Sequence, residues 1–138
     1  AAAPGAQVFP VPGAHSFGDG FGAGRNHQGA DIFAPCGSAE VAVARGVIAQ
    51  TGFHARAGYY IVLRSKKLRR DFVYMHLQAP SPLARKQKVS PGQTVGAVGE
   101  TGNASGCHLH FEIWKGKWYR GGRAIDPMPS LLRWDATS

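Results

Sequence analysis

The sequence contains few cysteines, few acidic residues and no long apolar segment. Its 138 residues include two cysteines, Cys36 and Cys107, so the chain can form at most one intramolecular disulfide. No stretch approaches the roughly 18 consecutive apolar residues of a membrane-spanning helix, and we therefore expect no membrane insertion. The 8 acidic residues stand against 16 lysines and arginines, which gives a formal net charge of +8 at pH 7. This balance favours anionic partners such as an acidic polymer or surface.

Glycine and proline are abundant. The chain has 19 glycines and 9 prolines, and this glycine share is about twice the usual value of about 7 %. Segments of strand type recur at about ten-residue spacing, which is typical of a sheet or barrel-like all-β fold. We therefore predict one all-β domain that spans residues 1–138. The segment Ala1–Gly5 lacks the basic and apolar parts of a signal peptide and is interpreted as the terminus left by processing or as a boundary of the expressed segment.

Three segments are the strongest strand predictions because they are dense in aromatic and β-branched residues. They are Gly58–Arg64, Phe72–Leu77 and Leu109–Trp114, and shorter strands are predicted around Val41, Val43, Gly46–Ile48 and Thr94–Gly96. The basic segment Ser65–Asp71 joins the first two and is either a solvated hairpin tip or a patch that faces an anionic polymer. The tail Ile125–Trp134 is expected to pack back on the core.

A pair of histidines begins the third strand. Alternation places Leu109, Phe111 and Ile113 on the core face and His108, His110, Glu112 and Trp114 on the other face. The two histidines are then about 6.6 Å apart along the strand, whereas two donors on one tetrahedral zinc are about 3.4 Å apart. The pair thus predicts one metal ligand with the second histidine beside it; the alternative is two polar residues on a solvated face.

Two further histidines have possible chemical roles. His27 and Asp31 are four residues apart, and a bend near Gly29 is needed before both side chains can reach one ion. Alternation groups His76 with Phe72 and Tyr74, opposite an apolar face of Val73, Met75 and Leu77. The face of His76 is either a groove floor with one titratable group or an aromatic-lined surface. The remaining histidines, His15 and His54, are expected at exposed positions.

The two cysteines can form a disulfide that ties the loop after Asp31 to the strand carrying His108 and His110. Such a disulfide indicates an oxidising compartment; two small buried thiols are the alternative. Alternation points Cys107 away from the face that carries His108, which disfavours a thiolate ligand there.

Five short motifs occur in a fixed order along about residues 17–126. They are His27-x-x-x-Asp31, Tyr74-Met75-His76-Leu77, Pro91-Gly92-Gln93, Thr101-Gly102-Asn103 and His108-Leu109-His110-Phe111-Glu112. Together they closely resemble the lysostaphin-like zinc endopeptidases of peptidase family M23. The resemblance implies a Gly-rich antiparallel β fold with a groove walled by loops. It also implies hydrolysis of peptide bonds in bacterial peptidoglycan, in the stem peptide or the cross-bridge.

The resemblance also implies a role for each site residue. His27, Asp31 and His110 are the implied ligands of one zinc ion, and His76 and His108 are the implied catalytic histidines. Phe17, Phe21 and Arg25 stand where relatives carry an aromatic, glycine-rich segment, and because that segment has no tyrosine, Tyr59, Tyr60 and Tyr74 are the candidates for a tyrosine in the groove. Glu112 either orients a ligand through its second ring nitrogen or is a surface carboxylate.

The resemblance implies a zinc endopeptidase, which we expect to be monomeric and secreted, periplasmic or associated with the cell wall. Zinc with three protein ligands leaves one position for water, which it acidifies to a pKa of about 7. Peptidoglycan peptides are the expected substrate, and anionic cell-wall polymers are expected partners by charge. The alternative is a module of the same fold that binds peptidoglycan, or activates another hydrolase, without cleaving. A nucleic-acid partner is not expected, because the histidine motifs would have no role in it.

Overall fold

The computed structural model describes residues 5–24 and 26–137. The predictions for Ala1–Pro4 and Arg25 lie outside these residues. Within them the chain forms ten strands and one helix, and the prediction of an all-β fold is confirmed. The elements are β1 (Ser16–Phe17), β2 (Ala30–Phe33), β3 (Ala39–Val41), β4 (Gly46–His54), β5 (Gly58–Ser65), β6 (Arg70–Leu77), β7 (Lys88–Val89), β8 (Thr94–Ala97), β9 (His108–Lys115), β10 (Arg123–Ile125) and α1 (Met128–Ala136).

An antiparallel sheet forms the centre of the molecule. Its strands lie in the order β1-β2-β9-β6-β5-β4-β7, and β10 also pairs with β9; β3 and β8 form a separate two-stranded sheet. The strand β9 pairs with both β2 and β6. Since these three strands come from the beginning, middle and end of the chain, the sheet brings the widely separated histidine motifs side by side.

The main hydrophobic core lies on one face of this sheet. Leu109, Phe111 and Ile113 of β9 point into it, as alternation predicted, and α1 covers it with Leu131 and Trp134. The packing of the tail is thus confirmed, although its helical form was not predicted. Pro127 and Pro129 are compatible with this helix because they occupy the N-cap and the first turn, where no backbone N–H is needed.

The predicted alternation of β6 is wrong. Phe72 and Tyr74 lie in the main core, whereas Val73 packs on the opposite face of the sheet with Val62 and Trp114. A bulge then changes the alternation, because Tyr59 pairs with Leu77 but Ile61 pairs with Tyr74, so β6 carries one residue more than β5. His76 has a φ of 63° within this bulge, and its ring therefore does not share the face of Tyr74.

The disulfide between Cys36 and Cys107 is formed, with 5.3 Å between the two Cα atoms. It joins the loop after β2 to the residue before β9, and Cys107 packs against the main core. Cys36 lies in a turn at Pro35–Ser38, in which the Ser38 N–H donates to the Pro35 carbonyl at 3.0 Å.

None of the helices in the described part of the chain has the length and apolar character needed to cross a membrane.

Candidate active site

Three side chains form a compact donor cluster on the face of the sheet opposite the main core. Asp31 Oδ1 lies 3.3 Å from His27 Nε2 and 3.0 Å from His110 Nδ1. One donor atom from each of the three residues lies within 4.8 Å of the others. Donors on one tetrahedral zinc are separated by about 3.4 Å, given bond lengths near 2.1 Å. The cluster therefore has the size of a mononuclear metal site.

Backbone pairing and one glycine bring these donors together. Asp31 of β2 is the register partner of His110 in β9, so the two side chains share a face. His27 reaches them because the chain bends over β9 at Gly29, where an added Cβ would overlap the carbonyl oxygen of Phe111. The carbonyl of Gly20 accepts a hydrogen bond from His27 Nδ1 at 2.8 Å. This bond leaves Nε2 with a free lone pair directed toward Asp31.

Glu112 fixes the orientation of His110. Its Oε2 lies 2.8 Å from His110 Nε2, and its Oε1 accepts a hydrogen bond of 2.7 Å from Trp114 Nε1. Glu112 is 3 % exposed, so it is a buried partner of His110 and not a surface carboxylate. Burial alone disfavours the charged imidazolium, but the hydrogen bonds to Asp31 and Glu112 outweigh it and raise the pKa of His110 to about 9. Burial raises the pKa of Asp31, yet His110 and the neighbouring histidines bring it below its usual value.

His76 and His108 stand beside the donor cluster. Their ring centroids are 4.9 Å apart, and His108 Nε2 lies 3.8 Å from Asp31 Oδ1. The Thr101 carbonyl accepts a hydrogen bond from His76 Nδ1 at 2.8 Å, which leaves Nε2 as the acceptor nitrogen. Burial lowers the pKa of His76, and the positive character of His108 and His110 lowers it further. The lowered pKa favours the neutral form of His76.

Thr101 supports His76 through a second set of bonds. Its hydroxyl donates to the Leu77 carbonyl at 2.6 Å and accepts from the Tyr59 N–H at 3.1 Å. Gly58 and Gly102 both have positive φ, and a Cβ on either would overlap the backbone of the other segment. The Thr101-Gly102 motif thus locks a loop against the bulge that presents His76.

The five residues lie in an open groove of about 930 Å³. Tyr60, Trp118 and Tyr119 form an aromatic wall, and Arg56 and His54 also line the groove. Tyr60 and Trp118 have ring centroids 5.5 Å apart, and Trp118 and Tyr119 are 5.1 Å apart. Such a groove accommodates an extended peptide along the sheet.

The structure separates the other sequence candidates. Tyr60 lines the groove, Tyr74 is buried in the core, and Tyr59 meets Phe53 edge to face outside the groove. Phe17 packs against the core and Phe21 is exposed, and neither lines the groove.

His54 is exposed as expected, but the prediction for His15 is wrong. His15 is half-buried, stacks on Phe9 and lies 3.0 Å from Asp135 of α1.

Sequence reasoning missed the wall residues Trp118 and Tyr119. They lie in the segment 116–123, whose glycines at 116, 121 and 122 predict a turn and indicate no binding role. The signal in the sequence was the pair of adjacent aromatic residues in a polar turn, because aromatic side chains in a surface loop indicate a binding role. The backbone N–H of Trp118 donates a hydrogen bond of 2.8 Å to the buried carboxylate of Asp71, and this bond holds the turn over the sheet.

Residues 25–127 match peptidase family M23. The chain is 35 % identical over 108 residues to peptidoglycan DD-endopeptidase ShyA of Vibrio cholerae, which covers 77 % of this chain and 24 % of that protein. It is 31 % identical to an L-Ala–D-Glu endopeptidase of Bacillus subtilis, over 95 % of this chain and 44 % of that protein. The chain belongs to peptidase family M23, and it spans less than half the length of these two relatives.

Solved structures give the same result. The catalytic domain of lysostaphin from Staphylococcus simulans superimposes with a TM-score of 0.78 at 30 % identity, over 86 % of this chain and 92 % of that one. A zinc-containing peptidase from Vibrio cholerae superimposes with a TM-score of 0.77 at 28 % identity, over 89 % of this chain and 39 % of that one. The lysostaphin-like fold is therefore confirmed.

The donor cluster fits one zinc ion. Two imidazole nitrogens and one carboxylate oxygen are a donor set typical of catalytic zinc, which keeps a further position open. The carboxylate of Glu112 behind His110 is the kind of outer partner that metal-binding histidines commonly have.

Proposed function

We propose that this chain is a zinc-dependent endopeptidase that hydrolyses peptide bonds of bacterial peptidoglycan. The observation that carries the proposal is the His27–Asp31–His110 cluster, which lies beside two further histidines in a groove of about 930 Å³. The curated relatives that match over this domain are named as peptidoglycan endopeptidases. An open groove suits an endopeptidase, because the substrate chain continues on both sides of the cleaved bond.

His27, Asp31 and His110 are the proposed zinc ligands. They would bind through Nε2, Oδ1 and Nδ1, since these are the atoms that converge in the cluster. When bound, zinc supplies Lewis-acid polarisation of the scissile carbonyl and acidifies water to a pKa of about 7. Glu112 would keep the proton of His110 on Nε2 and leave the Nδ1 lone pair for the metal.

His76 and His108 are the proposed catalytic residues. The lowered pKa of His76 favours its neutral form, which presents Nε2 as an acceptor because the Thr101 carbonyl accepts from Nδ1–H. His108 Nε2 lies beside the donor cluster at 3.8 Å from Asp31 Oδ1, and the Gly106 carbonyl lies 3.1 Å from its Nδ1. Between them the two imidazoles would take the proton of the attacking water and deliver a proton to the leaving amine.

We also propose that the chain acts as a monomer in an oxidising compartment, secreted or in the periplasm or wall. The Cys36–Cys107 disulfide supports the compartment, because such bonds persist where thiols are not kept reduced. Every proposed ligand and catalytic residue comes from a single chain, so the site needs no second subunit.

The direct test is cleavage of purified peptidoglycan by the zinc-loaded protein, with a chelated sample alongside. We expect new amino groups to appear only in the presence of zinc, and the masses of the fragments then identify the bond. No release from walls of several cross-link types would refute the proposed endopeptidase and favour the non-cleaving module.

The catalytic assignment is tested with His108→Ala and His76→Ala. General acid–base groups contribute about 10²- to 10⁴-fold to rates, so we expect losses of that size while one zinc per chain remains bound. His15→Gln is the matched control, because His15 lies outside the groove. Loss of zinc from His108→Ala would contradict its assignment as a residue that does not bind the metal.

A further inference from the structure

A second concave surface lies at the far end of the sheet from the histidines. It has a volume of about 770 Å³ and is formed by the start of β4, the tip of the β5–β6 hairpin and the end of β7. Its lysine and arginine side chains are Arg45, Arg64, Lys66, Lys67 and Lys88. We call this surface the basic groove. None of its described lining residues is acidic.

Strand pairing assembles the basic groove from residues distant in sequence. Val47 of β4 is the register partner of Arg64 on one side and of Lys88 on the other. Paired residues on neighbouring strands share a face, so Arg64 and Lys88 flank Val47 with backbones about 10 Å apart. Lys66 and Lys67 of the hairpin tip line the same groove, and so does Arg45, which directly precedes β4.

Four of these charges are available to a ligand. Arg64 is already engaged, because Asp71 accepts a bidentate pair of hydrogen bonds from it at 2.9 and 2.8 Å. Among the described residues, none of Arg45, Lys66, Lys67 and Lys88 makes an ion pair, and all four are exposed. Four like charges around one concavity repel each other, and a bound anion would relieve this repulsion.

The lining favours a phosphate-bearing chain. Lysine and arginine bind phosphate oxygens through charge-assisted hydrogen bonds. No exposed aromatic side chain lines the basic groove, so it lacks the stacking platform of a single-stranded nucleic-acid site. Its one large apolar side chain, Leu68, packs against the main core, so the surface lacks an apolar group to insert into a lipid layer.

We propose that the basic groove binds a flexible polyol-phosphate polymer of the cell envelope and that it does so independently of the histidine site. Tyr60, in the wall of the histidine groove, and Arg64 lie on the same strand four residues apart, which corresponds to about 13 Å. One molecule can therefore hold the polymer and a substrate at the same time. The binding itself does not depend on the proposed endopeptidase activity, since it involves none of the five site residues.

The test measures binding of a short poly(glycerol phosphate) to the full chain as salt is varied. The groove variant is Lys66→Gln/Lys67→Gln/Lys88→Gln. The matched control, Arg120→Gln/Arg123→Gln/Arg133→Gln, removes the same charge from exposed positions outside both grooves. Thermal unfolding checks that both variants fold.

We expect the groove variant to lose about tenfold in affinity. Its salt slope should fall by about 2, because three phosphates of a flexible polyanion would no longer be neutralised by lysines. At 0.15 M salt, where charges beyond about 8 Å are screened, the control should stay within about twofold of the parent. Cleavage of a small uncharged peptide substrate should be equal in all three proteins, so a loss of binding is distinguished from a failure of the histidine site.

Three results would overturn the proposal. Equal losses in both variants would show that the net charge acts diffusely and that no local site exists. If the parent protein does not bind the polymer, then the polymer is not the ligand of the basic groove. The parent could instead bind single-stranded DNA or anionic lipid vesicles more tightly than the polymer and lose this binding in the groove variant. That result would assign the basic groove to another class of partner.

Discussion

Glu112→Gln provides the sharpest test of how the donor cluster is organised. Glu112 accepts from two buried donors, Trp114 Nε1 at 2.7 Å and His110 Nε2 at 2.8 Å. A glutamine of the same shape has a single acceptor oxygen, so its NH₂ group must face one of the two N–H groups. We therefore expect the substitution to weaken the preference for the His110 tautomer that zinc binding requires, in which the proton is on Nε2.

The magnitude follows from this count of donors. A buried donor left without an acceptor costs about 1–3 kcal/mol, which corresponds to roughly 5- to 150-fold in an equilibrium constant. Substitution of such outer partners of metal-binding histidines typically costs about 10- to 100-fold in metal affinity. The two ranges overlap, and we expect Glu112→Gln to lower the zinc affinity by about 10- to 100-fold.

The assay is competition for zinc against a chromophoric chelator at pH 7. Asp126→Asn is the matched control, because it removes the same charge outside the groove. Adding Trp114→Phe to Glu112→Gln removes the competing donor and lets the glutamine oxygen face His110, so part of the affinity should return. Unchanged zinc affinity in Glu112→Gln would refute the role of Glu112 in orienting His110.

Three further predictions concern stability. Glu40 is fully buried, neither carboxylate oxygen has a partner among the described residues, and burial raises its pKa well above 4.5. The stability that the raised pKa of Glu40 contributes is complete below about pH 4.5 and is lost as the pH rises toward the folded-state pKa. Glu40→Met should therefore raise the free energy of unfolding by about 1–3 kcal/mol at pH 7 and flatten the pH dependence of that free energy in denaturant titrations. A destabilised variant would contradict this. The disulfide closes a loop with a sequence separation of 71, so Cys36→Ser/Cys107→Ser should lose up to about 4 kcal/mol, and a melting temperature unchanged relative to the oxidised parent would contradict it. The Tyr74 hydroxyl bonds to Val41 and Val43, so Tyr74→Phe should cost about 1–3 kcal/mol, which an unchanged unfolding midpoint would exclude.

The sequence by itself determined the features that depend on neighbouring residues. Alternation in β9 separated Leu109 and Phe111 from His108 and His110, and the structure keeps this division. It holds because β9 is a regular strand paired on both sides, so period-two geometry applies over its whole length. The order of the five motifs also carried the resemblance that implied the lysostaphin-like fold, whereas the two cysteines left a disulfide and two buried thiols as alternatives, and the structure contains the disulfide.

Only the tertiary structure decided features that depend on irregular backbone or on strands far apart in the chain. The bulge at His76 brings this residue into the groove while Phe72 and Tyr74, with which alternation had grouped it, lie in the core, because one extra residue in a strand changes every later position. The acceptors around His110 come from β2 and from β9 itself. The basic groove joins β4, β5 and β7, whose register no local pattern specifies. These features require the complete sheet, since register is fixed by the burial of a whole face and not by any single segment.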